Sequence, residues 1–303
     1  MKKVLLSVAV ATIVAAPMAQ AGSSLTGSLR YGFAYTDNGD GADAQMTLQN
    51  FGSRIKMAGD SDLGNGMTGY GNLELRLNNE RDNADDATGG IGNRIYRVGL
   101  KGSFGDISFG LQDTAFDIAN PDRTWWNGGA GLMGKRNEKN GALRYSKSFG
   151  DVELRAGAQM VSDADADVAD IFDIGVKYAA NNITLAAAIQ NDAASEGTAT
   201  AISGGYNFGA GDFTVTYGIE DEDFNGGVEE TGLSVQVGFG DFYGWYGQTE
   251  EDTDGAATPS SIGVGYTQSL GPQTTMWYEL FQNDADDDTD ADMALNAVLK
   301  VDF

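Results

Sequence analysis

Bulky apolar residues recur at every second position along almost the whole chain. In the run Leu25–Tyr35 they fall on Leu25, Leu29, Tyr31, Phe33 and Tyr35. Phe172, Ile174, Val176 and Tyr178 share one parity, as do Phe213, Val215, Tyr217 and Ile219 in their own segment. The last run is Leu295, Ala297, Leu299, Val301 and Phe303. A strand turns successive side chains to opposite faces, so each segment has one apolar and one polar face. No window carries a 3.6-residue period of comparable quality, and the expected class is all-β.

About sixteen segments carry the pattern: 25–35, 50–59, 66–77, 93–102, 105–113, 141–148, 151–161, 170–179, 182–191, 200–208, 212–220, 231–239, 241–249, 260–269, 273–283 and 293–303. Most are near ten residues, the length a tilted strand needs to cross a bilayer. The connections alternate in length. Short ones are Asp60–Asn65, Ser103–Phe104, Phe149–Gly150, Ala180–Asn181, Gly209–Gly211, Gly240 and Gly271–Pro272. Long ones are Thr36–Gln49, Asn78–Gly92, Thr114–Asn140, Ser162–Ala169, Asp192–Ala199, Asp221–Glu230, Glu250–Pro259 and Asp284–Asp292. Tight turns on one rim and long loops on the other predict a transmembrane antiparallel β-barrel, with short periplasmic turns and long external loops. A soluble β-sandwich gives no reason for strict alternation, and no self-similar units point to a solenoid. Mean hydropathy is −0.28. That value would suit a soluble protein, but barrel strands also average near neutral. Aromatics near strand ends, among them Tyr31, Phe104, Phe149, Phe208 and Phe239, fit interfacial girdles.

Residues 1–21 read as a secretory signal peptide. Lys2 and Lys3 precede an apolar run, Pro17 breaks it, and Ala19-Gln20-Ala21 is a small-x-small cleavage site. The barrel domain is then 22–303. Composition excludes several chemistries. The chain has no Cys and no His, with 19 Lys+Arg against 44 Asp+Glu and a formal charge of −25. Disulfides, thiol nucleophiles, histidine triads and His- or Cys-ligated metals are all ruled out. Strong acidity argues against nucleic acid. No enzyme, catalytic set, cofactor or metal site is expected. The acidic runs Asp163–Asp167 and Asp284–Asp292 have calcium-like spacing. Neither has the glycine and closing glutamate of a calcium loop, so they read as solvated loop tips. Weak divalent bridging to lipid headgroups is the sharper alternative.

Four stretches carry a family resemblance. They are Gly52-Ser-Arg-Ile-Lys-Met-Ala-Gly59 with the following Asp62-Leu-Gly-Asn-Gly-Met67; Asn93-Arg-Ile-Tyr-Arg-Val-Gly-Leu-Lys-Gly-Ser-Phe-Gly-Asp106; Phe109-Gly-Leu-Gln-Asp-Thr-Ala-Phe116; and Leu295-Asn-Ala-Val-Leu-Lys-Val-Asp-Phe303. Together the chain resembles the Gram-negative general, non-specific outer-membrane porins across essentially all of 22–303. Leu111 stands where that family often has arginine. The resemblance implies a sixteen-stranded outer-membrane barrel, usually a homotrimer, that passes small hydrophilic solutes and ions. It also implies a third loop folded into the lumen, contact with outer-membrane lipid and lipopolysaccharide, and a terminal Phe303 read by the barrel-assembly machinery.

Thr114–Asn140 is the longest connection, and long loops in compact domains are usually functional or disordered. Asp113 flanks it, and it holds Asp117, Asp122, Trp125 and Trp126. By resemblance, Asp113, Asp117 and Asp122 form the acidic side of a pore constriction. Parity supplies the basic side. Arg54 and Lys56 alternate with Phe51, Ile55 and Met57, Arg76 matches Thr68, Asn72 and Glu74, and Arg144 is out of phase with Leu143 and Tyr145. Arg30 and Arg155 also read inward. A charge on the lipid face would cost about 2–4 kcal/mol near the midplane. In the fourth segment the resemblance favours Arg94 as luminal, while Tyr96, Val98 and Leu100 share its parity and favour Arg97. A bulge would admit both. The expected function is a passive diffusion channel with a charged constriction. A substrate-selective channel and an adhesin-like barrel acting through its loops are the alternatives.

Overall fold

The computed structural model describes residues 22–37, 43–77, 90–119, 139–160, 171–193, 195–224, 227–253, 256–285 and 291–303. The first strands are β1 (Ser24–Asp37), β2 (Gln45–Asn50), β3 (Arg54–Gly64), β4 (Met67–Leu77), β5 (Ile91–Gly102) and β6 (Gly105–Gln112). A short 3-10 turn, Ala115–Ala119, follows. Then come β7 (Lys139–Phe149), β8 (Val152–Gln159), β9 (Ile171–Ala180), β10 (Ile183–Asp192), β11 (Gly197–Asn207) and β12 (Gly211–Glu220). The last are β13 (Glu230–Phe239), β14 (Phe242–Glu251), β15 (Ser260–Gly271), β16 (Thr274–Asp284) and β17 (Asp292–Asp302).

Apart from β2 and β3, each strand pairs antiparallel with its chain neighbour, and β17 returns to β1 with Ser28 opposite Asp302 and Asp37 opposite Met293. The sheet is closed, so no edge is left unpaired in lipid. Both β2 and β3 pair with β1 and are two halves of one wall strand, which makes a sixteen-strand barrel. Among the described residues no helix is long and apolar enough to cross a membrane; the crossing elements are strands.

The faces are inverted relative to a soluble protein. Leu25, Leu29, Tyr31 and Phe33 on β1 are exposed on the outer face. Ile174, Val176, Leu185, Val264, Leu295 and Leu299 continue that belt. The buried inward positions include Gln112, Gln190, Ser234, Gln236, Ser261 and Asn296. The seam is locked at the end of the chain. Gly27 and Phe303 exchange backbone hydrogen bonds of 2.8 and 3.1 Å. The Phe303 ring lies where a side chain at Gly27 would stand.

The turns on the short rim follow their residue types. Asn65-Gly66 and Asn181-Asn182 both take positive φ at two consecutive positions, as a two-residue hairpin with matching twist demands. On the opposite rim the strands rise higher than the sequence pattern indicates. Gln45–Asn50 is strand where the alternation reads loop, and only residues 193–196 separate β10 from β11.

The start of the third connection lies inside the barrel. The 3-10 turn packs on β9 and β10. Phe116, Ile118 and Ala119 form one buried cluster with Ala186, Ala188, Ala199 and Ala201. Those alanines are the inward residues of β10 and β11. Gly175 on β9 completes the seat, since a Cβ there would lie 2.3 Å from Ile118 Cγ2. The inner wall is small-sided where the turn must lie against it. Asp173 then fixes the turn by accepting the Phe116 N–H at 2.9 Å.

Candidate functional site

The inner wall of β3, β4 and β5 carries a cluster of cations around one carboxylate. Arg54 and Lys56 face inward, and Lys56 stands directly opposite Glu74 across the β3–β4 pair. The Glu74 carboxylate is buried and takes three partners. Arg54 Nη1 lies 3.3 Å and Arg94 Nη1 3.0 Å from Oε1, and Lys56 Nζ lies 3.1 Å from Oε2. Arg76 stands opposite Arg54 in the same pair of strands. Three cations on one anion leave this patch net positive. Like charges at opposed positions repel, and Glu74 offsets that repulsion by pairing with all three.

Phe51 departs from its expected parity. Tyr31 pairs with Asn50 on β2 but Ser28 pairs with Arg54 on β3, so one extra residue sits in the interval 51–53. Gly52 absorbs this with φ +73°. The bulge reverses the alternation. Phe51 turns inward, fully buried, edge-on to Trp277 at 6.4 Å between ring centres, while Ile55 and Met57 stay outward. A second bulge lies on β5. Glu74 pairs with Ile95 and Leu75 with Asn93, which leaves Arg94 as the extra residue. Arg94 reaches Glu74, and Arg97 lies opposite Asn72 on the same inward row. The two arginines therefore share the lumen, with Tyr96, Val98 and Leu100 outside.

The basic wall continues toward the short-turn rim. The Arg97 guanidinium lies 5.9 Å and Lys101 Nζ 5.8 Å from the Tyr70 ring centre. Tyr70 donates to Asp106 at 2.5 Å. Tyr70 faces Gly99 across β4–β5, and a Cβ there would meet its ring at 2.5 Å. The glycine lets the ring lie flat on the wall rather than project across the lumen. Arg144 Nη1 donates to the Asp113 carbonyl at 3.3 Å and so holds the root of the third connection. On β8 and β9, Glu153 pairs Arg155 at 2.7 Å and Lys177 at 3.0 Å.

Of the acidic residues expected on the loop side, Asp113 meets the wall through its backbone. Asp117 lines a cavity that Arg155 and Lys177 also line. Asp122, Trp125 and Trp126 lie outside the described residues, as do residues 1–21, the run Asp163–Asp167 and positions 286–290 of the last acidic run. Glu74, Glu153, Asp173 and Lys177 have roles that parity alone does not assign. Their inward phase is visible in the sequence; their meeting depends on strand register. A further signal is chain-wide. Residues 178–299 contain no lysine or arginine at all. The wall from β10 to β16 is thus free of basic side chains, and its buried inward charges are Glu220 and Glu279. Tyr243 donates to Glu279 at 2.8 Å. The lumen has a basic half and an acidic half.

A family model described as Gram-negative porin matches residues 6–288. The chain belongs to the Gram-negative porin family. A curated relative of this porin, the monosaccharide porin of a Halomonas sp, is 30% identical over 240 residues, 69% of this chain and 64% of the relative. This porin therefore spans just under two thirds of the length of that relative. A variant of the porin of Rh. blastica matches with a TM-score of 0.69 at 20% identity, over 93% of this chain and 100% of that one. The trimer form of OmpT from Vibrio cholerae matches with a TM-score of 0.70 at 14% identity, over 93% and 99%. At these identities the solved structures share the fold. Family and barrel together make this porin a multi-pass protein of the Gram-negative outer membrane.

Proposed function

We propose that this porin is a passive diffusion channel for small hydrophilic solutes and ions, and not an enzyme. The observation that carries the reading is the start of the third connection, pinned inside a polar lumen by Asp173 and Arg144 beside a basic wall. A turn held inside a water-filled barrel narrows the path, and fixed charges on either side orient dipolar solutes. In this reading Arg54, Lys56, Arg76, Arg94, Arg97 and Arg144 form the basic side of the constriction. Asp113, Asp117 and Asp122 belong to the acidic side. The working unit is a homotrimer in lipid and lipopolysaccharide, residues 1–21 are removed on export, and Phe303 is the assembly signal. N-terminal sequencing of the membrane form checks the leader by starting at Gly22. Loss of insertion in Phe303→Ala checks the signal.

The test of the channel is single-channel conductance of the purified barrel in a planar bilayer under a salt gradient. Steps in groups of three with a cation-side reversal potential are expected. A silent membrane, with the barrel folded by circular dichroism, overturns the reading. The relative named a monosaccharide porin raises a sugar-selective alternative, which would need aromatic faces along the path. The inward Trp245, Trp277 and Phe281 are all buried, so none of these three offers such a face.

A further inference from the structure

Beneath the 3-10 turn, between it and the short-turn rim, lies a cavity of about 480 Å³. Its walls carry charges of both signs. Arg155 and Lys177 line it from β8 and β9, Asp117 from the turn above, and Asp212 from the start of β12. Between these poles the floor is Thr184, Ser203 and Thr214, three short hydroxyl side chains on adjacent strands. The volume lies within the range of small-molecule sites.

The charge arrangement selects among ligand classes. Arg155 and Lys177 both pair with Glu153, and the Asp173 carboxylate on the same wall is taken by the Phe116 N–H. A simple anion that enters also meets Asp117 and Asp212. A simple cation meets Arg155 and Lys177. Only a solute carrying both charges satisfies both poles at once. The poles are three strands apart, Lys177 on β9 and Asp212 on β12. That is about 14 Å across a sheet at the usual strand spacing, less the reach of the two side chains. The spacing suits a zwitterion whose charges are separated by several bonds, with its chain lying over the hydroxyl floor.

We propose that this cavity is a transient subsite for small ω-amino carboxylates, with the carboxylate toward Arg155 and Lys177 and the ammonium toward Asp212. The inference rests on the channel reading for its physiological meaning, but binding does not require conduction. Two measurements keep them apart. The first is equilibrium binding of 6-aminohexanoate to the detergent-solubilised barrel by saturation-transfer NMR, against hexanoate and hexylammonium as single-charge controls. The second is interruption of single-channel current by the same three compounds added from the short-turn side. The zwitterion is expected to bind more tightly than either control. Lys177→Gln and Asp212→Asn should each weaken it roughly two- to five-fold, the size of a solvent-accessible charge pair. Equal binding of the three compounds, or zwitterion binding unchanged in both variants, overturns the subsite. A silent bilayer with intact NMR binding overturns the channel reading and leaves the subsite standing.

Discussion

Glu74 holds three cations with one carboxylate, and its removal is the sharpest probe of the basic wall. Glu74→Gln keeps the shape and deletes the charge. Arg54, Arg94 and Lys56 would then face one another with only dipoles between them. Removing one partner of a fully buried ion pair costs about 3–5 kcal/mol. Here Lys56 is 52% exposed in a solvated lumen, so a loss of about 1–2 kcal/mol is expected. The temperature at which the detergent-resistant barrel unfolds should fall, and the reversal potential should move toward anions. A variant with unchanged ion preference would place the selective charges elsewhere. Conversely, Arg94→Gln leaves Arg54 and Lys56 still paired to Glu74, and should shift the preference toward cations with little change in stability.

At the scale of elements, the alternation in the sequence was legible wherever the strands are regular. Arg54, Lys56, Arg76 and Arg144 face inward as their parity indicates, because a regular strand cannot do otherwise. The alternation misplaced Phe51 and left Arg94 and Arg97 in conflict for one reason: a single extra residue reverses the faces beyond it. Gly52 hints at the first bulge, but nothing local marks the second, where the capture of Arg94 by Glu74 accompanies the extra residue. The seat of the 3-10 turn was also hidden. Ala186, Ala188, Ala199 and Ala201 read as weak strand residues until the turn is laid on them. That seat makes a prediction. Asp173→Ala removes the acceptor of the Phe116 N–H, a bond to a charged group worth about 1.5–3 kcal/mol. The turn should loosen, with noisier and larger single-channel steps. Gly175→Val acts in the opposite sense. Its side chain would meet Ile118 Cγ2 and the Ala115 carbonyl, pushing the turn off the wall and lowering the conductance. Identical conductance in the two variants would mean that the turn does not limit the path.

At the scale of the whole molecule, the charges are divided by position in the chain. The formal charge is −25, yet all basic residues beyond residue 21 except Lys300 lie at or before Lys177. The connections from β10 onward therefore add acidic charge to the outer mouth without any balancing cation. Such a mouth attracts cations from a distance, while the arginines of the lumen repel them at close range. The two effects differ in how salt reaches them. The screening length is about 10 Å at 0.1 M salt and about 3 Å at 1 M, so the mouth should dominate ion preference at low salt and fade at high salt. Neutralising exposed carboxylates there tests this directly. Glu222→Gln, Asp223→Asn, Glu229→Gln and Asp252→Asn together remove four exposed charges from the two connections that follow β12 and β14. The reversal potential of this variant should lose most of its cation bias at 0.1 M and match the parent at 1 M. If the bias at 0.1 M survives, ion preference is set inside the barrel, and the acidic half of the wall around Glu220 and Glu279 becomes the place that sets it.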